Sequence, residues 1–235
     1  MMGTEEMRSM KGRICMDANE LKTLIDSSQI VELSWPMSPK IPALFGAPPF
    51  RKEWVVTRES GSLFEYSYIS MSEHAGTHAD APCHFGYEGD MASIPPERFM
   101  GRAAVIRLDV MEVGSEHIKA WEAQHGEIQT GDIVLFSMGW EDRFFEGSET
   151  WPGLTVDAAK YLVTKGVKGV GVDVAVVDTC TDQENQVHQT LLPEGIVIYE
   201  NLRNLKELPP FVYFIALPLM LEGGTGMPVR AVALI

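Results

Sequence analysis

The sequence is poor in cysteine, in basic residues and in long apolar runs. Its three cysteines, Cys15, Cys83 and Cys180, are odd in number and far apart, which argues against a secreted disulfide framework and favours a reducing compartment. The 33 acidic residues outnumber the 19 basic ones and give a formal charge of −14. A chain this acidic repels phosphate backbones and anionic lipid, so we expect neither nucleic-acid binding nor adhesion to a membrane surface.

No segment has the features of a membrane anchor or of a secretion signal. The most apolar stretch, residues 211–221, is interrupted by Pro218, and it is too short to span a bilayer, which takes about 20 residues. The N-terminus lacks the apolar core of a signal peptide. We therefore expect a cytoplasmic protein.

Short apolar runs of strand composition alternate with segments of helical periodicity. The clearest strand candidates are residues 103–110, 133–137 and 167–177. The clearest helix candidate is residues 155–165, which Thr155 can cap and Gly166 can end. Repeats, low-complexity segments and linkers are absent from the sequence. This order predicts a single mixed-sheet α/β domain over residues 21–235, preceded by a loose tail over residues 1–20.

Histidine is scarce in this chain, yet three of the six histidines fall within one short segment. The segment from His74 to His84 reads H-x-x-x-H-x-D-x-x-x-H, with His78 and Asp80 at its centre. Because Gly76 disfavours a helix, we expect a strand end that bends at Gly76 and brings His74 and His78 together. If the next residues are extended, Asp80 points to the same side as His78.

Two imidazoles and one carboxylate are a typical three-ligand set for a catalytic zinc ion, which keeps a further position open for water. Manganese or iron would accept the same ligands. Such an ion lowers the pKa of bound water to about 7 and polarises a carbonyl oxygen. The pattern therefore predicts metal-dependent hydrolysis, with His84 beside the metal as a proton shuttle.

Several later polar residues are ambiguous from the sequence alone. His188 lies in a segment of short helix or turn, and Glu200 ends a predicted strand over residues 196–199, which is a common ligand position in α/β folds. Each of them can equally be a solvated polar side chain. Two interpretations are open for three further acids, cation binding and, more simply, a solvated loop position; they are Asp173, Asp178 and Asp182.

Taken together, these residues resemble the metal-dependent hydrolase family often labelled cyclase, which includes bacterial kynurenine formamidases and isatin hydrolases. The family pattern H-G-G-T-H-x-D-x-P-x-H matches residues 74–84, with Ala75 in place of the first glycine. The other matching segments are residues 167–173, His188 with Glu200-Asn201-Leu202, and the glycine-rich residues 222–231. For this last segment a simple turn before the final strand and a role in the site are both open. The likeness extends over roughly residues 30–235, and it implies a swivelling β/β/α fold and a homodimer or homotetramer.

The resemblance also implies which residues hold the metal. The ligands implied for a first ion are His74, His78, Asp80 and Glu200. Those implied for a second ion are Asp80, His188 and Glu200, so that both carboxylates bridge. Two dications about 3.5–4 Å apart need anionic bridges of this kind. The cofactor implied is one or two Zn²⁺ ions, or Mn²⁺, and His84 matches the proton donor and acceptor of the family.

The implied reaction is hydrolysis of a small-molecule carbon–nitrogen amide bond, in an arylformamide or in a cyclic amide such as isatin. Family formamidases have Pro-x-Trp-Pro-Gly-Asp in the loop that corresponds to residues 41–47, and its Trp walls the aromatic substrate. This chain has Leu44 at that place. An aromatic wall can come instead from Phe45, Trp35 or Trp140. Two alternatives stay open: a lactone or ester hydrolase with the same site, and a non-catalytic protein in which the metal is structural.

Overall fold

A computed structural model describes residues 17–43, 46–146 and 150–235 of the chain. The strands are β1 (Ile30–Glu32), β2 (Arg51–Val56), β3 (Tyr66–Ser70), β4 (His78–Asp80), β5 (Met100–Arg107), β6 (Glu112–Val113), β7 (Ile133–Ser137), β8 (Gly153–Leu154), β9 (Gly169–Val172), β10 (Val197–Glu200), β11 (Phe211–Ile215), β12 (Gly226–Pro228) and β13 (Val232–Leu234). The α-helices are α1 (Ala18–Ser27), α2 (Ser115–His125), α3 (Val156–Lys165) and α4 (Gln186–Leu191). Short 3₁₀ helices cover Pro82–Phe85, Pro96–Phe99, Glu141–Arg143, Leu192–Glu194 and Leu205–Glu207. Within the described ranges, no helix combines the length and the apolar character that crossing a bilayer requires.

Nine strands form one mixed sheet in the order β1-β13-β11-β5-β7-β9-β10-β4-β12. The four central strands, β5, β7, β9 and β10, are parallel to one another. Parallel neighbours need crossover connections, and helices α2, α3 and α4 lie in the three segments that make them. Antiparallel strands extend the sheet at both ends, while β2 and β3 form a separate hairpin. The predicted mixed-sheet α/β class is therefore confirmed.

Both faces of the central strands are buried, because side chains alternate between the two sides of a strand. In β7, Val134 and Phe136 pack in the core on the helix side, together with Leu162 of α3. Ile133 and Leu135 of the same strand pack in a second core on the opposite face. The near-continuous apolar runs of the sequence therefore correspond to strands that are covered on both sides.

Residues 155–165 form helix α3 as the sequence predicts. The hydroxyl of Thr155 accepts the backbone N–H of Ala158 at 3.3 Å, and Gly166 ends the helix in the left-handed conformation, with φ +67°. Helix α1 crosses the predicted boundary between tail and domain at residue 20. Since residues 1–16 lie outside the described residues, that boundary stays a prediction.

Strand β9 is shorter than the predicted run over residues 167–177. Asp173 follows it directly, and its buried carboxylate accepts the backbone N–H groups of Met138 and Gly139 at 3.0 and 2.9 Å. Burial raises the pKa of Asp173 to about 7, even though these N–H groups favour its charged form. These hydrogen bonds hold Asp173 at the end of the strand, and because its side chain is buried, the expectation of a solvated Asp173 is wrong.

Candidate metal centre

Strand β4 carries the centre of the histidine-rich segment. It lies between β10 and β12, and its His78 is opposite Glu200 of β10. His78 and Asp80 are two residues apart in an extended strand and therefore point to the same side. Gly76 precedes the strand with φ +62°, a conformation that glycine adopts readily, and this bend brings His74 back beside the strand. The predicted bend and the predicted extended segment are both present.

Two imidazoles and two carboxylates meet at this point, although they come from distant parts of the chain. Nε2 of His78 lies 3.3 Å from Oδ1 of Asp80 and 3.5 Å from Oε2 of Glu200. Nε2 of His188 lies 3.4 Å from Oδ2 of Asp80 and 3.5 Å from Oε1 of Glu200. All four side chains are buried. Oδ2 of Asp80 is buried without a hydrogen-bond partner, which is costly unless another group such as a cation binds it.

The second ring nitrogen of each of these two histidines is fixed by a partner. Nδ1 of His78 donates to the carbonyl oxygen of Gly76 at 2.8 Å. Nδ1 of His188 is hydrogen-bonded to the carboxylate of Asp178. When Nδ1 carries the proton, Nε2 presents its lone pair toward the two central carboxylates. Metal-binding histidines in proteins are oriented by carbonyl and carboxylate partners in this manner.

Asp178 holds the ring of His188 in a way that the sequence interpretation did not predict. It is 1% exposed rather than solvated, and it also accepts the backbone N–H of Val187 at 2.6 Å. Its carboxylate therefore holds both the start of α4 and the ring of His188. The sequence offers only a weak signal for this role, an aspartate ten residues before the histidine with several polar residues between them.

The charges of the cluster compensate one another. Burial opposes ionisation of Asp80, but the surrounding imidazoles outweigh it and hold its pKa well below the usual range. Burial and the charge of Asp80 raise the pKa of Glu200 to about 7. Burial lowers the pKa of a histidine, yet Asp80 and Glu200 overcome it and raise the pKa of His78 to about 9. Two buried carboxylates that require adjacent positive charge, beside imidazole nitrogens that can exchange a proton for a metal ion, are a donor set that fits a divalent metal ion.

His74 lies at the edge of the cluster. Its Nδ1 is 2.7 Å from Oδ1 of Asp80, and its Nε2 is 3.0 Å from the hydroxyl oxygen of Thr225. His74, His78 and Asp80 each offer one ligand atom, and these atoms lie within 4.8 Å of one another. Thr225 belongs to the glycine-rich segment 222–231, which therefore contacts a histidine of the cluster.

His84 stands in the 3₁₀ helix Pro82–Phe85 and is exposed to the cavity above the cluster. Its ring centroid lies 4.2 Å from that of His74 and 6.0 Å from that of His188. Partial desolvation and the neighbouring histidines lower the pKa of His84 to about 4, against the opposing charge of Asp80. One ring nitrogen also comes within 4.8 Å of ligand atoms of Asp80 and His188. The position suits either a proton carrier or an additional ligand.

A cavity of about 430 Å³ opens over the cluster, a volume that suits a small organic molecule. The histidines His74, His78, His84 and His188 line its floor with Glu200. Its larger apolar lining residues are Ile41, Pro42, Pro48, Phe50, Phe85 and Val176.

Of the three residues predicted to contact substrate, only Trp35 lies in the described part of the chain. Leu44 and Phe45 lie outside the described residues, although their neighbours Ala43 and Gly46 line the cavity. Trp35 stacks on Phe144 with ring centroids 4.6 Å apart, and it is not brought to the cavity wall.

Several known proteins are similar to this chain in sequence and in fold. Residues 31–179 match the model of the Cyclase family, which is described as "Putative cyclase". The chain is 32% identical to a kynurenine formamidase of Bacillus cereus over 88% of its length and 97% of the relative. It is 29% identical to an isatin hydrolase of Roseibium aggregatum over 91% of its length and 94% of the relative. Among solved structures, isatin hydrolase A from Labrenzia aggregata, bound to benzyl benzoate, superposes with a TM-score of 0.86 at 29% identity and covers 92% of this chain and 98% of its own.

Proposed function

Because the chain belongs to the cyclase family, we propose that it is a metal-dependent hydrolase that cleaves the carbon–nitrogen bond of an arylformamide or a cyclic amide. The observation that carries this proposal is the convergence of His78, His188, Asp80 and Glu200 at the floor of the cavity, with both Nε2 atoms toward the carboxylates. The relatives that are named kynurenine formamidase and isatin hydrolase support the reaction class.

We propose that one or two Zn²⁺ or Mn²⁺ ions bind at this cluster. The proposed ligands are His74, His78, Asp80, His188 and Glu200. The support is that Asp80 and Glu200 each lie close to both His78 and His188, so either carboxylate is placed to bridge two ions. A divalent metal ion at such a site lowers the pKa of a coordinated water and polarises a carbonyl oxygen.

The chain's own residues then have separate tasks. Asp80 and Glu200 supply the negative charge that retains the cation, and Asp178 keeps the ring of His188 in the tautomer with a free Nε2. An imidazole nitrogen of His84 takes a proton from the attacking water and returns it to the leaving nitrogen. His84 is suited to this task because it is exposed to the cavity and stands directly beside His74.

The cavity supports a compact substrate with an aromatic or apolar part. Phe50, Phe85 and Ile41 cover its walls, and neither lysine nor arginine is among the described residues that line it. Leu44 and Phe45, whose structure is not described, are apolar in sequence as well. A substrate with a free carboxylate would lack a cationic partner among the described lining residues, so we propose that uncharged ring-bearing amides are preferred.

The proposal is tested by metal analysis together with a substrate panel of N-formylaniline, isatin and an aryl lactone. We expect bound divalent metal and faster hydrolysis of an amide than of the lactone. Asp80→Ala should lose both metal and activity, whereas the exposed Asp142→Ala serves as the matched control. Faster lactone hydrolysis would favour an esterase, and metal binding without any hydrolysis would indicate a non-catalytic protein.

We also propose that the chain forms a homodimer or homotetramer. The hairpin β2–β3 stands outside the main sheet and exposes large apolar side chains, among them Trp54 (56%), Phe64 (63%) and Tyr68 (61%). Exposed apolar patches of this kind mark association surfaces. Light scattering on a sizing column should give a mass of two or four chains, and Phe64→Ser with Tyr68→Ser should reduce it. A wild-type monomer would refute this assignment.

We propose a cytoplasmic location, in which cysteines stay reduced. Cys83 and Cys180, the cysteines in the described part of the chain, are both free. Free, separated thiols are typical of proteins in a reducing compartment. Fractionation of cells that express the full chain would test this location, and recovery with an extracytoplasmic fraction would contradict it.

A further inference from the structure

The glycine-rich turn before β12 packs directly against His74. A Cβ atom on Gly226 would lie 2.5 Å from Cε1 of His74 and 3.0 Å from the carbonyl oxygen of Ala79. A side chain at this position would therefore displace the histidine ring or the adjacent strand. The absence of a side chain at Gly226 lets the turn bring Thr225 to the far side of the ring.

The hydrogen bonds around Thr225 have a defined direction. Its hydroxyl donates to Oε2 of Glu73 at 2.6 Å, because a carboxylate can only accept. The same Oε2 accepts the backbone N–H groups of Thr225 at 2.7 Å and of Gly226 at 3.3 Å, so the carboxylate is held by three donors. The threonine hydroxyl has a single proton, and that proton is committed to Glu73.

The hydroxyl oxygen of Thr225 must therefore accept its other hydrogen bond. The partner is Nε2 of His74 at 3.0 Å, which has to carry the proton. In the neutral ring this leaves the lone pair on Nδ1, and Nδ1 faces Oδ1 of Asp80 at 2.7 Å. Two acceptors that face each other at this distance need positive charge on or beside them.

We infer that Glu73 and Thr225 form a positioning pair that holds His74 with its Nδ1 lone pair directed to the metal centre. This inference rests on the proposed function, since it assigns the orientation of one proposed ligand. His74 then differs from His78 and His188, which present Nε2. Neither Glu73 nor Thr225 touches the reacting atoms; both act through His74.

The test compares three threonine variants in the full-length protein. Thr225→Val keeps the shape of the side chain and removes the hydroxyl, while Thr225→Ser restores the hydroxyl. Thr164→Val is the matched control, because Thr164 also makes a side-chain hydrogen bond, to the carbonyl oxygen of Tyr161 on the exposed side of α3. Affinities for Zn²⁺ and Mn²⁺ are measured by competition with a chromophoric chelator. The electronic absorption spectrum of the Co²⁺-loaded protein reports the ligand geometry, and thermal melting of the metal-free protein reports the fold.

We expect Thr225→Val to bind metal about 10–100-fold more weakly, as is typical when the partner of a metal-binding histidine is lost, with an altered Co²⁺ spectrum. Thr225→Ser should restore both properties, and Thr164→Val should change neither. Wild-type affinity and an unchanged Co²⁺ spectrum in Thr225→Val would overturn the inference. A Thr225→Ser variant as weak as Thr225→Val would overturn it too, because the effect would then come from packing of the turn. Failure of the proposed function is distinguishable, because the wild-type protein itself would then bind no divalent ion or hydrolyse no amide.

Discussion

Replacing Asp178 with asparagine tests whether the ring of His188 is held for metal binding. The carboxylate receives two donors, the N–H of Val187 and Nδ1 of His188, whereas an amide side chain has a single acceptor oxygen. If the new amide nitrogen faces His188, it donates to Nδ1 and moves the ring proton to Nε2, which removes the lone pair directed at Asp80 and Glu200. If it faces Val187, two buried N–H groups oppose each other. The first arrangement removes the lone pair that would bind the metal, and the second leaves the backbone N–H of Val187 without an acceptor.

Metal binding through Nε2 keeps the proton on Nδ1 and so requires the second arrangement, and the cost of its unpaired N–H group sets the expected loss of metal affinity. A buried group left unsatisfied costs about 1–3 kcal/mol. At about 1.4 kcal/mol per factor of ten, this range includes the roughly 10–100-fold effect usually seen when the partner of a ligand is removed. Since His188 belongs to one of the two proposed ligand sets, the second ion should weaken more than the first.

Isothermal titration of the metal-free Asp178→Asn protein with Zn²⁺ measures both the affinity and the stoichiometry. Asp157→Asn is the matched control, because its carboxylate also accepts a backbone N–H, that of Ser115 at 3.1 Å, at the start of α3 and outside the site. Melting of both metal-free variants separates a loss of affinity from a loss of fold. Wild-type affinity and stoichiometry in Asp178→Asn would refute the proposed role of Asp178.

Three further predictions concern the proton carrier, the metal and stability. His84→Ala should keep its metal but lose about 10²–10⁴-fold in kcat; loss of metal on this change, measured by elemental analysis, would make His84 a ligand instead. Removal of the metal with a chelator should abolish hydrolysis and leave the circular dichroism spectrum largely unchanged, whereas unfolding would indicate a structural metal. Glu122→Gln should lower the free energy of unfolding at neutral pH by about 1–3 kcal/mol, because Glu122 accepts the hydroxyl of Tyr161 and pairs with Lys165 at 2.8 Å. Burial opposes the charged form of Glu122, but these partners outweigh it and lower the pKa of Glu122. Ionised Glu122 therefore stabilises the fold at pH values above its pKa in the unfolded chain, and this contribution is lost as the pH falls through its pKa in the folded protein. The deficit of Glu122→Gln in urea unfolding should shrink in acid, and a deficit that does not change with pH would contradict this account.

The local part of the site could be predicted because its geometry depends on neighbouring residues. His78 and Asp80 share a side since they are two residues apart in a strand, and the bend at Gly76 follows from the permissive backbone of glycine. The helix over residues 155–165 could be predicted for the same reason, because its capping residues are adjacent to it in the sequence. In each case the residues involved are close together in the sequence, so their spacing alone predicts the local geometry.

The remaining site residues depend on tertiary structure. Glu200 reaches His78 only because β10 and β4 pair antiparallel, although more than a hundred residues separate them in the sequence. No pattern in the sequence predicts this pairing, and Glu200 was placed beside His78 only through the family resemblance. Asp178 and Thr225 act on the second nitrogen of a ring, so neither shows a ligand spacing in the sequence. The wall residue Trp35 was chosen by residue type; it stacks on Phe144 and is not among the described residues that line the cavity.

Three histidines of the cluster have their second nitrogens fixed from three separate segments of the fold. The partners are the carbonyl of Gly76, the carboxylate of Asp178 and the hydroxyl of Thr225. His78 and Asp80 meet Glu200 and His188 only in the folded chain, where β4 pairs with β10, so the ligand atoms converge in the folded chain and not in the unfolded one. Metal binding must therefore favour the folded state, by about 2.7 kcal/mol at a free ion concentration 100 times Kd. Neither apolar core includes a proposed ligand, so this linkage should raise the melting temperature of a protein that folds by burying those cores, as expected for a catalytic metal rather than a structural one.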